Sequence, residues 1–393
     1  MTQVVWVHSG GWLTQAAISY VGVHNAWSFA QAGAKSHLLM PARRADAPIE
    51  EGLRHHYGLD PHPQLDIHRI TAERKWWHWH HPFYGQAFGY VEELRRRSVP
   101  PEPIVVLTRE QRFLPYLARL ARLPNTVALF EPHYFFVDQT WRGTDISLGD
   151  RRRGDLERRY LPLVHGLTCI TGEQDRLYRQ AMPALPTVSV PLGVKTLPAT
   201  QQCTPDWRDR RALGYIGHLH GYKGIDALVG FDRQLREAGV RVELFGGSEA
   251  EIAAYRRQCG ERGVSSLNWH PFVPPAQVFP ALAETVSVGI VALEDTYYNR
   301  NLTCPVKALD FLALGLPVVA SDLPSTRGVL GEAGIYYTPG RMDEMLAAVI
   351  KLLEDASAYD RACRAARSQA RALDWVERAR RILDFSEALM GDG

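Results

Sequence analysis

LGYIGHLHGYKG, residues 213–224, is an apolar run feeding a glycine-punctuated turn; CPVKALDFLALGLPVVAS, residues 304–321, is a short helical pattern feeding another apolar run. Each delivers one lysine, Lys223 and Lys307, to a place where a polyanion can be held. A loop that leads from a strand into a helix concentrates unpaired backbone N–H groups, and a nearby ammonium adds a full positive charge. Two such places about eighty residues apart, in what reads as one βαβ domain, point to a site for a nucleoside diphosphate.

Outward from these segments, strands alternate with helices along the chain. Val4–His8, Ser36–Met40, Ile104–Leu107, Thr126–Phe130, Gly166–Thr171 and Thr187–Pro191 read as strands, with helical patterns near residues 15–31, 113–122 and 173–182. Lys195–Arg211 is rich in Pro, Gln and Thr and reads as an interdomain linker. The pattern then restarts with strands at Ala212–Ile216, Arg241–Phe245, Leu267–His270, Val286–Ala292, Val318–Ser321 and Ile335–Tyr337. Helices are expected at 225–238, 249–262, 306–314, 342–355 and 358–373, and Trp375–Met390 forms a last helix beyond the second sheet. Such alternation predicts α/β architecture: two Rossmann-like, doubly wound parallel-sheet domains facing across a cleft, with ligands at the carboxyl ends of the strands. The expected boundaries are 1–195, 196–374 and a closing helix over 375–393 that packs back on the first domain.

At 393 residues the chain exceeds one ordinary core, which agrees with two domains. Forty-five basic against 43 acidic residues leave a net charge of +2, too balanced for a dedicated nucleic-acid binder. Only six of the basic residues are lysines, and two of those six fall in the motifs above, where a compact ammonium is wanted. The five cysteines are scattered without a CxxC pair and read as reduced thiols. No basic-then-apolar leader and no membrane-length apolar run is seen, so a cytoplasmic protein is expected, with peripheral contact at the inner face of the membrane left open through the arginine runs 95–97 and 151–153.

Several further residues stand where α/β enzymes place working groups. Gly10-Gly11 closes the first strand, either as a tight turn or to let a backbone N–H approach a phosphate or sugar oxygen. Arg109 follows the Ile104–Leu107 strand. Glu131 and His133 follow Thr126–Phe130, as working residues or as a satisfied buried pair. Lys307 and Asp310, three apart, share a helix face. The run WWHWHH (76–81) has no carboxylate or cysteine spaced to complete a zinc site; it reads as an acceptor-gripping loop or a packing loop. No D-x-D occurs, so no carboxylate-held divalent metal and no cofactor are expected.

With these segments in view, the chain resembles the retaining, nucleotide-sugar-dependent glycosyltransferases of family 4 (group 1), which have the GT-B fold. YIGHLHGYKG looks like the family's strand-Gly-Arg-Leu-x3-Lys-Gly loop, and CPVKALDFLALGLPVVASDLPSTRGVL is similar to its donor-site helix. HSGGWLTQAAISYVGVHNAWSFAQAGAKSHLL looks like the Gly-Gly loop and first helix, VLTR and FEPH fit its strand-Arg and Glu-x-His pattern, and Trp375–Leu383 is similar to its closing helix.

The resemblance implies transfer of a sugar from a UDP, GDP or ADP sugar to a glycan, lipid-linked or small-molecule acceptor. It assigns Lys223, His133 and His218 to catalysis and Gly10, Gly11, Lys307, Asp310, Phe272, Leu302, Thr303 and Glu294 to the donor, with Arg109 and Glu131 on the acceptor side. Two departures stand out. His218 replaces the family arginine, and Leu302 occupies the first position of the paired acids, so main-chain N–H groups of residues 301–304 and Glu294 are the expected substitutes. The alternatives are a catalytically weak or inactive sugar-binding relative and a nucleotide-sugar epimerase.

Overall fold

The computed structural model describes residues 1–14, 16–42, 47–71, 82–97, 102–143, 146–217, 219 and 225–391. His218, Lys223 and the 76–81 run lie outside the described residues. The chain divides into two compact units, Met1–Pro191 with Trp375–Gly393, and Leu192–Asp374.

The first unit is a seven-stranded, all-parallel sheet. Its strands are β1 (Gln3–Val7), β2 (Lys35–Pro41), β3 (Leu65–Ile70), β4 (Ile104–Thr108), β5 (Thr126–Phe130), β6 (Gly166–Cys169) and β7 (Thr187–Ser189), in the order β3-β2-β1-β4-β5-β6-β7. Every residue of β1, β4 and β5 is buried, as strands covered by helices on both faces must be. Val4, Trp6, Val105, Leu107, Val127 and Leu129 meet Val23, Ala26 and Phe29 of helix Ala17–Gln31 in one core. Ala379 and Ile382 of helix Trp375–Gly391 enter the same core. At about 1.5–3 kcal/mol for each large apolar side chain, this burial holds the last helix on a unit whose other residues end at Pro191.

The second unit carries β8 (Ala212–Ile216), β9 (Arg241–Phe245), β10 (Leu267–His270), β11 (Val288–Val291), β12 (Val318–Ser321) and β13 (Gly334–Tyr337), all parallel, in the order β10-β9-β8-β11-β12-β13. Each sheet reverses its winding once, between β1 and β4 in the first unit and between β8 and β11 in the second. At such a point adjacent loops diverge to opposite faces and leave a crevice beyond the strand ends.

The expected 225–238 helix is two, Ile225–Gly230 and Asp232–Glu237, broken at Phe231. The stretch expected as a linker is packed into the second unit. Leu197, Cys203 and Trp207 are buried, and the Cys203 N–H donates to the Leu314 carbonyl at 2.7 Å. Three apolar residues spaced through a Pro- and Thr-rich run are enough to anchor it. Among the described residues no helix is long and apolar enough to cross a membrane.

Candidate functional site

At the switch point of the first unit, His8 follows β1 with no exposed surface. Its ring lies where side chains at two glycines would be. A Cβ on Gly10 would stand 2.2 Å from His8 Nε2, and one on Gly22 would stand 2.9 Å from Cδ2. Gly10 is thus glycine because His8 fills the space beside it, and Gly11 follows as a buried residue. Burial and the Arg109 guanidinium push His8 down to about 3, so the ring is neutral at pH 7. Ser9 N–H donates to Glu110 Oε1 at 3.0 Å and the Tyr84 hydroxyl to Glu110 Oε2 at 3.2 Å, which pins the β1 loop to the β4 loop.

Beside it, Arg109, Glu131 and His133 are brought together. The Arg109 guanidinium donates to His133 Nδ1. Because a guanidinium can only donate, Nδ1 is the ring's acceptor, and the neutral imidazole carries its proton on Nε2. That nitrogen is 3.5 Å from Glu131 Oε1, and about a quarter of the His133 side chain stays accessible (24%). Burial, then the Arg109 and Arg378 guanidinia, hold His133 well below its ordinary range. Glu131, fully buried, accepts from Arg378 of the closing helix. Arg378 also donates to Asn25 Oδ1 and, at 3.0 Å, to the Pro191 carbonyl.

His8, Asn25 and Arg378 were not singled out from the sequence. The signal for Arg378 was available: Trp375, Arg378, Ala379, Ile382 and Ser386 form the buried face of their helix, and an arginine on such a face demands a buried anion.

In the second unit, Gly217 ends β8 at φ 135° and donates to the Phe245 carbonyl at 2.9 Å. Gly246 ends β9 at the same φ, and a Cβ there would fall 2.2 Å from the Gly217 carbonyl oxygen. The two turns therefore touch through backbone alone, which only glycine allows. Phe272 is half-buried, and its N–H donates to the Gly247 carbonyl at 3.2 Å. Glu294 is exposed; its carbonyl accepts from Thr296 N–H and Asn299 Nδ2, both at 2.9 Å.

Helix Val306–Ala313 brings Lys307 and Asp310 to one side. The Lys307 ammonium sits 4.2 Å from the centroid of the Tyr215 ring, which β8 supplies. Asp310 is half-buried and makes no hydrogen bond or ion pair among the described residues, and burial pushes its carboxyl up to about 7. An ordinary Lys–Asp surface pair would depress a carboxyl instead.

One expectation is corrected. The N–H groups of Leu302 and Thr303 do not stand open for a ligand. Both donate to the Tyr298 carbonyl, at 2.9 and 3.1 Å, because helix Tyr297–Asn301 ends there and its last turn closes on itself. The Leu302 side chain is fully buried, so this position serves the core where the family pattern has an acid. The Thr303 hydroxyl is spent on Asn299 Oδ1 at 3.3 Å.

Residues 210–355 match the family described as Glycosyl transferases group 1. No curated protein sequence matches the chain. Among solved structures, sucrose-phosphate synthase from Thermosynechococcus elongatus is similar over 100% of both chains, at 16% identity and a TM-score of 0.71. Anabaena HepE, solved with UDP and glucose, aligns over 98% of this chain and 99% of its own, at 13% identity and a TM-score of 0.67. The catalytic domain of starch synthase IV from Arabidopsis thaliana, bound to ADP and acarbose, aligns over 99% of both at 9% identity and a TM-score of 0.67. At these identities the likeness is one of fold: two parallel-sheet α/β units of the GT-B kind.

Proposed function

We propose that this chain, a glycosyltransferase by the group 1 domain of its second unit, transfers a sugar with retention from a nucleoside-diphosphate sugar to a glycan or lipid-linked glycan, without a catalytic metal. One juxtaposition carries the reading. Inside the matched segment, a half-buried carboxyl at Asp310, without a partner among the described residues, shares a helix side with Lys307. A carboxyl left without a donor is matched by the paired hydroxyls of a ribose, and an ammonium one turn away by a diphosphate. The nucleotides named with HepE and starch synthase IV, UDP and ADP, are candidates for the donor here, together with GDP.

In the reaction the bond from the anomeric carbon to the diphosphate oxygen breaks, and negative charge grows on the leaving group. Lys223 and Lys307 stabilise that charge. The absence of a D-x-D sequence leaves this work to ammonium groups. With Leu302 and Thr303 amides committed elsewhere, the share falling on Lys223 is larger than the family pattern implies.

His133 acts neutral. With Nδ1 taken by Arg109, its Nε2–H is a hydrogen-bond donor to a sugar hydroxyl and a poor proton acceptor. Glu131 is fully buried, with Oε2 held by Arg378 and Oε1 3.5 Å from His133 Nε2, so it positions His133 and does not reach an acceptor.

The test is transfer from radiolabelled UDP-, GDP- and ADP-sugars to a glycan panel. Lys223→Ala is expected to lower kcat at least ~100-fold with a smaller change in KM; turnover within a few-fold of wild type overturns the assignment. Proton NMR of the product's anomeric centre checks retention. The buried Leu302 in an acid's place favours a second reading, a sugar-binding relative without turnover. Donor binding with neither transfer nor hydrolysis would select it.

A further inference from the structure

Away from both switch points, His37, Asp66 and His68 converge on the face of the first sheet that helix Pro82–Arg97 approaches with Tyr90. His37 on β2 is directly opposite Asp66 on β3, and His68 follows two residues on, hence on the same face. One ring nitrogen of His37, one of His68 and an Asp66 carboxylate oxygen all lie within 4.8 Å of one another. Asp66 Oδ2 is 3.6 Å from His68 Nε2 and 3.9 Å from His37 Nδ1. Tetrahedral zinc with bonds of about 2.0–2.2 Å needs ligand atoms about 3.3–3.6 Å apart. The three atoms require only small side-chain adjustments to meet that spacing.

The His37 lone pair faces inward for a reason that runs through two more residues. Gln3 Nε2 donates to Glu102 at 2.7 Å, which fixes the amide and turns Gln3 Oε1 toward His37 Nε2, 3.2 Å away. Gln3 Oε1 can only accept, so His37 carries its proton on Nε2 and presents a bare Nδ1 to the cluster. An outer partner that sets a histidine tautomer in this way is the usual support of a metal ligand. The Tyr90 hydroxyl lies 3.0 Å from His37 Nδ1 and 2.7 Å from His68 Nε2, at the point where both nitrogens aim. Its one proton goes to the bare His37 Nδ1, so in this form the hydroxyl oxygen accepts from His68 Nε2–H, and a metal ion would select the other His68 tautomer.

We infer that His37, Asp66 and His68 form a binding site for one zinc-class divalent ion, with solvent in the fourth position on the exposed Asp66 side and the Tyr90 hydroxyl displaced. Two imidazoles and one carboxylate suit zinc over magnesium or calcium, which want oxygen ligands. Through β1, where Val5 pairs with His37, the cluster sits three residues upstream of His8. At 3.3 Å per residue that is about 10 Å from the switch point, so the ion is structural and takes no part in transfer.

The test is calorimetric titration of zinc chloride into full-length, untagged protein stripped with chelator. One equivalent per chain is expected, with a rise in melting temperature and a visible absorption band when Co²⁺ is used instead. Asp66→Asn, at a largely exposed side chain, and His68→Ala should each weaken binding at least ~10-fold; Gln3→Leu should weaken it by ~10–100-fold. Replacing His78, His80 and His81 together by asparagine should leave the stoichiometry at one. Absence of saturable binding, or binding unchanged in both Asp66→Asn and His68→Ala, would overturn the site. Because binding and melting are read without turnover, the outcome is independent of the transfer assay.

Discussion

The two switch points are built from different materials. In the first unit, side chains hold one another: Arg378 holds Glu131 and Asn25, Arg109 holds His133, and His8 fills the space that Gly10 and Gly22 leave. In the second, backbone meets backbone at Gly217 and Gly246, and the Asp310 carboxyl has no hydrogen-bond or ion-pair partner among the described residues. The first site is cross-braced by charged side chains, although both His8 ring nitrogens, His133 Nε2 and Glu131 Oε1 are buried without a hydrogen-bond partner among the described residues; in the proposed function that bracing orients an acceptor. The second has no such bracing around Asp310, whose desolvation cost would be recovered on donor binding.

The comparison breaks most visibly at Arg378. Arg378→Met removes the cation from a buried carboxylate and should cost about 3–5 kcal/mol. The double variant Glu131→Gln/Arg378→Met should recover much of that loss. Urea denaturation followed by near-ultraviolet circular dichroism checks both, and a cost below 1 kcal/mol for Arg378→Met would show that the network is not stabilising.

Next in size is Gly10→Ala. Its Cβ would overlap His8 Nε2, so the loop or the ring must move, at about 1–3 kcal/mol. His8→Ala in the same background should relieve the clash, and a double-mutant cycle measures the coupling.

Much of the fold was legible in the sequence, because buried parallel strands such as ALGYI at 212–216 and TVALF at 126–130 are continuous apolar runs. Edge strand β3, LDIHRI, was not, since it is half-buried and its alternation mixes polar with apolar residues. Helices Pro82–Arg97 and Leu148–Tyr160 were missed for a related reason. The first is diluted by Gly85 and Gly89, and the second by six charged residues within its first ten.

The same contrast divides the sites. Backbone-defined loops leave glycines and prolines at fixed spacing, which a reader of one sequence can see. The first unit's network joins residues as far apart as Asn25 and Arg378, 353 positions, and no local pattern records it. Nor could spacing show that the Leu302 and Thr303 amides are already spent on Tyr298.

The smallest expected effect sharpens the comparison through pH. In the first unit His8 has a folded value of about 3 against 6.5 unfolded. The unfolded chain binds the extra proton below 6.5, so stability falls as pH drops, by at most about 1.4 kcal/mol per unit for that group. Asp310 runs the other way. Its folded value is near 7 against 3.8 unfolded, so its contribution is present in acid and is lost as pH rises from about 4 to 7. Partial solvation limits this to about 1 kcal/mol. Asp310→Asn should flatten that second slope only, as read by melting temperature across pH 4–8. Donor binding should also release a proton near pH 7 in the wild type and none in Asp310→Asn, measured by calorimetry in buffers of different ionisation enthalpy.

Hydrogen–deuterium exchange with and without a nucleoside diphosphate tests the central claim most directly. UDP, GDP or ADP should protect residues 213–224 and 294–310 most strongly, with lesser change at 8–11 and 131–133. Protection confined to the first unit, or no protection by any of the three nucleotides, would contradict the account.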